Sequence, residues 1–160
     1  MTSETHDIPV RHRATAIIKN GDKFLLFHRI KPGHDYYMFP GGGVEQGETI
    51  EEALKREVKE ELNISVEKFR ELFVVDNIYA PAWATIHPGQ KQIYHFFMVD
   101  DYIGTPELSG PEKSQANEQN EYILAWLSLD DIRRLDTVVP KEGVDMFLKV
   151  GMNNGLTPFG

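Results

Sequence analysis

The sequence predicts an α/β fold, on three observations. A strongly periodic helix lies near the middle of the 160 residues, runs rich in β-branched and aromatic residues stand on both sides of it, and a second helical pattern follows near the C-terminus.

Taken in order, Ala14–Lys19 and Lys23–Ile30 are short apolar runs around Asn20-Gly21-Asp22. Asn and Gly both tolerate positive φ, so the step reads as a hairpin. Lys31–Met38 carries Pro32, Gly33, Tyr36 and Tyr37 and reads as a loop. In Phe39-Pro40-Gly41-Gly42-Gly43, three glycines after a proline permit a sharp turn and close approach of a ligand to the backbone. Thr49–Leu62 is the clearest helix. Thr49 and Glu52 form a capping box, while Ile50, Leu54, Val58 and Leu62 recur every fourth residue. Asn63 takes the left-handed position that ends it. Val66–Tyr79 and Gln92–Asp100 read as strands. Asp101–Glu121 is polar, contains Gly104, Pro106, Gly110 and Pro111, and reads as a long loop or functional flap. Ala125–Leu127 is expected as a short buried strand around Trp126, Ser128 as the cap of a helical turn, and Pro140–Val150 as a last helix ending at Gly151. Residues 1–10 are expected as a loose polar tail and 11–155 as one domain without repeats.

Composition narrows the function. With 41% hydrophobic and 26% charged residues, the chain has the balance of a folded globular domain. No apolar run reaches the length of a membrane span, and no secretory signal opens the sequence. The absence of cysteine excludes disulfides, thiolate metal sites and thiol catalysis, and fits a reducing compartment, so a cytoplasmic location is expected. A net charge of −8 argues against DNA or RNA as partner, because a nucleic-acid face must neutralise phosphates. A negative protein that handles a phosphorylated small molecule must balance charge locally, and a bound cation does that.

The Thr49–Leu62 helix carries acids in an unusual phase. With Ile50 at zero, Glu57 falls at about −20°, Glu61 at about +20° and Glu60 at about −80°. Two glutamates therefore sit within the apolar arc and the third at its edge, while Lys55, Arg56 and Lys59 lie on or nearer the far side. A solvated acidic face would lie opposite the apolar stripe. A carboxylate facing the core is costly unless paired, and Arg56 cannot satisfy three. Glutamates at i, i+3 and i+4 converge, which suits a hard divalent cation with oxygen ligands, Mg²⁺ or Mn²⁺ before zinc.

The stretch from Gly42 to Ile64 resembles the Nudix box, G-x5-E-x7-R-E-U-x-E-E-x-G-U with U a bulky aliphatic. Gly42, Glu48, Arg56-Glu57-Val58, Glu60-Glu61 and Ile64 stand at the required spacing, and Asn63 replaces the last glycine. Asparagine is the next best residue for a left-handed helix end. The resemblance implies a mixed sheet sandwiched between helices, with the box as a loop–helix–loop. It implies metal-binding roles for Glu57, Glu60, Glu61 and the Gly41 carbonyl, and an orienting role for Arg56 with Glu48. A further acid from a later loop is expected as ligand or general base, with Glu121 preferred over Glu118. Arg29 is a candidate for the phosphates. Tyr37 is a candidate for the substrate, because an aromatic three residues before the Pro-Gly-Gly turn recurs in the family. His28, His95, Trp83 and Trp126 are expected as packing residues.

The reaction implied is divalent-metal-dependent hydrolysis of a diphosphate linkage in a nucleotide, with a nucleoside triphosphate going to the monophosphate and pyrophosphate. ADP-ribose or another nucleoside diphosphate joined to a small group is the alternative. Tyr79 and Pro81 lie near two subgroup markers downstream of the box and decide neither. A non-catalytic nucleotide-binding regulator is a second alternative, opposed by the intact glutamates. Many relatives are homodimers, and exposed apolar residues such as Phe159 are too few to argue from.

Overall fold

The computed structural model describes residues 10–85 and 88–153. The tail expected at the N-terminus, apart from exposed Val10, lies outside the described residues, as does Phe159.

The hairpin forms. β1 (Arg11–Asn20) and β2 (Lys23–Lys31) are joined by Gly21-Asp22, with Asn20 opposite Lys23 as the last residue of β1. The two strands pair only at this end, at Lys19–Phe24 and Asn20–Lys23, and then diverge. Other strands take up the freed edges. β3 (His34–Met38) pairs with β2, and β4 (Gly41–Gly43) lies antiparallel to Arg13–Thr15 of β1. β5 (Ser65–Ile78) pairs with β6 (Gln92–Ile103), β6 runs parallel to β1, and β7 (Glu121–Leu127) covers the other edge of β2. Among the described residues the result is a mixed seven-stranded sheet with the path β3-β2-β1-β6-β5.

Helices cover both faces, as the α/β/α sandwich requires. α1 (Ile50–Leu62) buries Ala53, Leu54, Val58 and Leu62 against Ala14, Ala16, Ile18, Leu25, Phe97 and Val99. On the other face α4 (Lys141–Asn153) packs Val144 and Phe147 against Ile17, Phe24, Leu26 and Phe96. The alternation along β1 is the reason one strand serves both layers. α2 (Gly110–Gln115) and α3 (Leu129–Arg133) are short, and Ser128 caps α3 with Asp131 closing a capping box. No described helix is long and apolar enough to cross a membrane.

Five expectations need correction. Lys31–Met38 is largely strand: Pro32-Gly33 makes a two-residue turn, Gly33 at φ 79°, and His34–Met38 then pairs back along β2. Gly41–Gly43 is strand as well as turn, because the diverging hairpin leaves an edge of β1 to be filled. The segment 101–121 is not a continuous loop. β6 runs on to Ile103 and α2 follows, started by a proline in its first turn. α4 passes through Gly151 to Asn153, and β7 begins at Glu121 rather than Ala125.

α1 has the predicted ends. Thr49 accepts from the Glu52 amide at 3.0 Å while Glu52 accepts from the Thr49 amide at 2.8 Å, and Asn63 sits at φ 56°, ψ 37°. Replacing Asn63 by alanine is expected to cost about 1–2 kcal/mol in denaturant unfolding, whereas Asn63→Gly should cost much less.

Candidate active site

The divergence of β1 from β2 opens a cleft of about 230 Å³. Its floor is Gly41–Gly43 of β4; Glu57 and Glu61 reach it from α1, Arg11 and Arg13 from β1, and Arg29 from β2. Glu112 of α2, Tyr122 of β7 and the apolar Phe27 and Met38 complete the lining. A larger hollow of about 400 Å³ beside Val44 and Ile50 offers one carboxylate, Glu48, which Arg56 already engages.

Glu61 is the most deeply set acid, only 6% exposed. One oxygen accepts the Gly41 amide at 2.9 Å. Burial pushes its carboxyl well above the usual carboxylate range, and the charges of Glu112 and Glu57 push the same way. Burial also raises Glu57, against the pull of Arg56. Glycine at position 42 makes this arrangement possible, since any Cβ there would overlap the Glu57 carboxylate.

Arg56 ties the helix to the loop before it. Its Nε and Nη2 grip the two oxygens of Glu48 at 2.7 and 3.0 Å, Nη2 also donates to the Gly43 carbonyl at 3.0 Å, and Nη1 donates to Glu57 at 2.9 Å. A fork-shaped donor is required to hold three partners at once. Those hydrogen bonds hold the Glu48 carboxyl down at about 2.

Glu112 arrives by another route. The last carbonyls of a helix have no partner within it. Those of α1 are met by the segment ahead of α2: the Ser109 hydroxyl donates to the Glu60 carbonyl at 2.6 Å, the Ser109 amide to Glu61 at 2.9 Å and the Glu107 amide to Leu62 at 3.0 Å. Capping α1 in this way sets α2 beside it. Glu112 then faces the cleft, with its Oε1 buried and lacking a hydrogen-bond partner.

Of the residues singled out by sequence, Glu57, Glu61, Gly41 and Arg29 line the cleft. Glu60 does not; its carboxylate is 47% exposed and lies 3.4 Å from Arg56 Nη1. Glu121 and Glu118 are exposed and also stand outside the lining, Glu121 paired with Ile30 at the start of β7. The acid that the later segment brings to the cleft is Glu112. Its signal was Gly110-Pro111-Glu112, a helix start inside a segment read as loop. Tyr37 stacks on His28 at 4.1 Å instead of lining the cleft. Arg11 and Arg13 were missed because alternating arginines at a strand start look like solvated residues.

Among the described residues no three acidic or imidazole side chains already converge as a metal cage. The donor set nevertheless fits a hard cation: an unpartnered buried carboxylate oxygen faces two further carboxylates that burial disfavours as anions. What the cleft can hold is a phosphate chain with its counter-cation, so by class this is a phosphate-handling α/β protein.

Comparison with known proteins makes the class specific. The NUDIX domain model matches residues 10–145. Nucleoside triphosphatase NudI of Enterobacter sp. (strain 638) is 32% identical over 128 residues, spanning 75% of this chain and 83% of its own. The NudI protein of Escherichia coli O139:H28 is 32% identical over 130 residues, with the same shares. The crystal structure of the MutT NUDIX hydrolase from Burkholderia pseudomallei superposes with a TM-score of 0.60 at 30% identity, covering 77% of this chain and 86% of that one. The MutT protein of Methanosarcina mazei Go1 reaches 0.66 at 22% identity over 93% and 98%, a likeness of fold. The chain belongs to the Nudix hydrolase family, and its reaction class is hydrolysis of a diphosphate linkage in a nucleotide. Members of the family generally require a divalent cation.

Two outcomes follow from the geometry. Gly42→Ala should displace Glu57 and lower turnover by about 100-fold, with a thermal midpoint that still reports a folded protein. The Glu48–Arg56 pair should stabilise the fold above the ordinary glutamate value of 4.5 and lose its contribution as pH falls from there toward about 2. Acid unfolding followed by circular dichroism should therefore be less steep through that window for Glu48→Gln than for the wild type.

Proposed function

We propose that this chain hydrolyses a nucleoside triphosphate to the monophosphate and pyrophosphate, with Mg²⁺ in the acidic cleft and Mn²⁺ able to replace it. The observation that carries this reading is the meeting of Glu57, Glu61 and Glu112 with Arg11, Arg13 and Arg29 around one glycine strand. The activity printed in the name of the NudI relatives supports it, since the match extends over most of both chains. A hydrolase of ADP compounds shares the fold at 17% identity, which does not favour the alternative substrate. A cytoplasmic location goes with the cysteine-free composition.

In this scheme Glu57 and Glu61 would hold the cation, the Gly41 amide fixing one oxygen of Glu61 and the Gly41 carbonyl serving as a further ligand; Glu60 would join by leaving Arg56. A cation held there would supply charge neutralisation for the phosphates and lower the pKa of a bound water. Glu112 would take the proton of the attacking water at Oε1, the buried carboxylate oxygen in the cleft with no hydrogen-bond partner. Glu57 is less free for that task because Arg56 Nη1 already engages it at 2.9 Å. Arg56 keeps α1 and the Gly43 carbonyl in register, so the acids stay aimed at the reacting phosphate. Arg29 donates to the phosphate chain from the opposite wall.

Pyrophosphate release from a panel of nucleoside triphosphates, ADP-ribose, nucleotide sugars and dinucleoside polyphosphates tests the reading. Cation-dependent turnover is expected for triphosphates. Glu112→Gln should lower kcat by roughly 10²–10⁴-fold with a smaller loss of cation affinity than Glu61→Gln causes. A folded, cation-bound wild type that turns over nothing on the panel would favour a ligand-binding role instead.

A further inference from the structure

Arg11 and Arg13 stand two residues apart on β1 and so project from the same face of the strand. Both line the cleft, and both are half-buried. Neither forms a salt bridge with a carboxylate among the described residues, although Glu57 and Glu61 share the cleft with them. The Nε atoms of both, like that of Arg29, are buried without a hydrogen-bond partner, but unlike Arg29 neither donates a side-chain hydrogen bond from its other nitrogens among the described residues. Arg13 rests over the ring of Tyr94 at 5.4 Å, and the Arg11 guanidinium lies against Gly43. Burial, and after it the charge of Arg13, hold Arg11 below its ordinary value, with Glu57 acting the other way.

Two adjacent, partly desolvated guanidiniums that feel the charge of Glu57 and Glu61 but form no ion pair with them are unfavourable as a structural element. Arg56 shows the contrast, since its donors go to Glu48, Glu57 and Gly43. Arg29 is also committed in part. It donates to Asn120 Oδ1 at 2.6 Å and lies flat over Tyr122 at 3.6 Å. Arg11 and Arg13 therefore keep donors aimed into the cleft for something that is not protein.

We propose that Arg11 and Arg13 form the subsite for the terminal phosphate of the substrate and thereby select a nucleoside triphosphate over a nucleoside diphosphate joined to a sugar. This rests on the hydrolase reading above and names the feature by which the same cleft chooses. A terminal phosphate carries about −1.5 to −2 near neutral pH and presents three free oxygens. A phosphate esterified on both sides carries one charge and has no free end. With one divalent cation beside the three glutamates and three guanidiniums the cleft is net positive for either substrate, and only the triphosphate offers a free end with three oxygens to the two β1 forks. The two β1 arginines are spaced by roughly 6.6–6.8 Å of strand rise, so they can take one tetrahedral phosphate from two sides. Arginine suits the task because its fork donates in pairs to phosphate oxygens.

The test uses Arg11→Gln and Arg13→Gln in the full chain, with Arg13→Lys to restore the charge without the fork. Calorimetric binding of inorganic pyrophosphate with Mg²⁺ present should weaken by roughly 10- to 100-fold in each glutamine variant and recover in part in the lysine variant. KM for a nucleoside triphosphate should rise by a similar factor with kcat less affected, so that the preference over ADP-ribose falls. Arg133→Gln, on the exposed α3, should match the wild type in both measurements. Unchanged pyrophosphate binding in variants with wild-type thermal midpoints would overturn the proposal, as would equal losses on triphosphate and ADP-ribose. A wild type that binds pyrophosphate through these arginines yet hydrolyses neither substrate would sink the hydrolase reading and leave the subsite standing.

Discussion

Glu61 is a carboxylate set into the apolar face of a helix, and the surrounding structure is arranged around that cost. Nothing in α1 itself can compensate a charge 6% exposed between Val58, Leu62 and the sheet. One amide, from Gly41, reaches it. The neighbours that burial brings closest, Glu57 and Glu112, increase the penalty. Arg13 pulls the other way, and a bound cation would relieve what remains of the repulsion among the three acids.

The sheet supplies the other half of the site through a topological accident of the first hairpin. Had β1 and β2 paired along their whole length, no cleft would separate Arg13 from Arg29, and the glycine strand would have no edge to occupy. Because they part after two residue pairs, β4 lies on β1, β7 lies on β2, and side chains from four strands surround one opening. The three glycines of β4 are what keep that opening shallow enough for the helix acids to reach through. The acids thus come from helices α1 and α2 and the guanidiniums from strands β1 and β2.

Much of this was legible in the sequence, for identifiable reasons. α1 was readable to the residue because its cap, its apolar period and its left-handed end are all local signals that agree. The phase of Glu57 and Glu61 followed from the same geometry. β3 was obscured because a Pro-Gly turn and two tyrosines look alike in a loop and in a short strand that pairs with its predecessor. Glu112 was obscured more deeply. Its place depends on Ser109 and Glu107 capping carbonyls of a helix some fifty residues earlier, a pairing that no local pattern announces. Tyr37 falls outside the cleft lining because side chains alternate along β3: Tyr36 is buried and approaches Arg29, while Tyr37 turns to His28.

A cleft built this way should be least content when empty. Its acids repel one another, two of its arginines lack partners, and the cap that brings Glu112 to Glu61 also holds those like charges together. Cation and phosphate chain each remove part of that repulsion, and each does so more fully when the other is present, because neither alone balances both walls. Cooperative binding of metal and substrate is then a consequence of charge placement and needs no change in fold. Stability is spent at the one place where catalysis needs unsatisfied donors and acceptors, and the two packed cores on either side of the sheet carry the compensating burial.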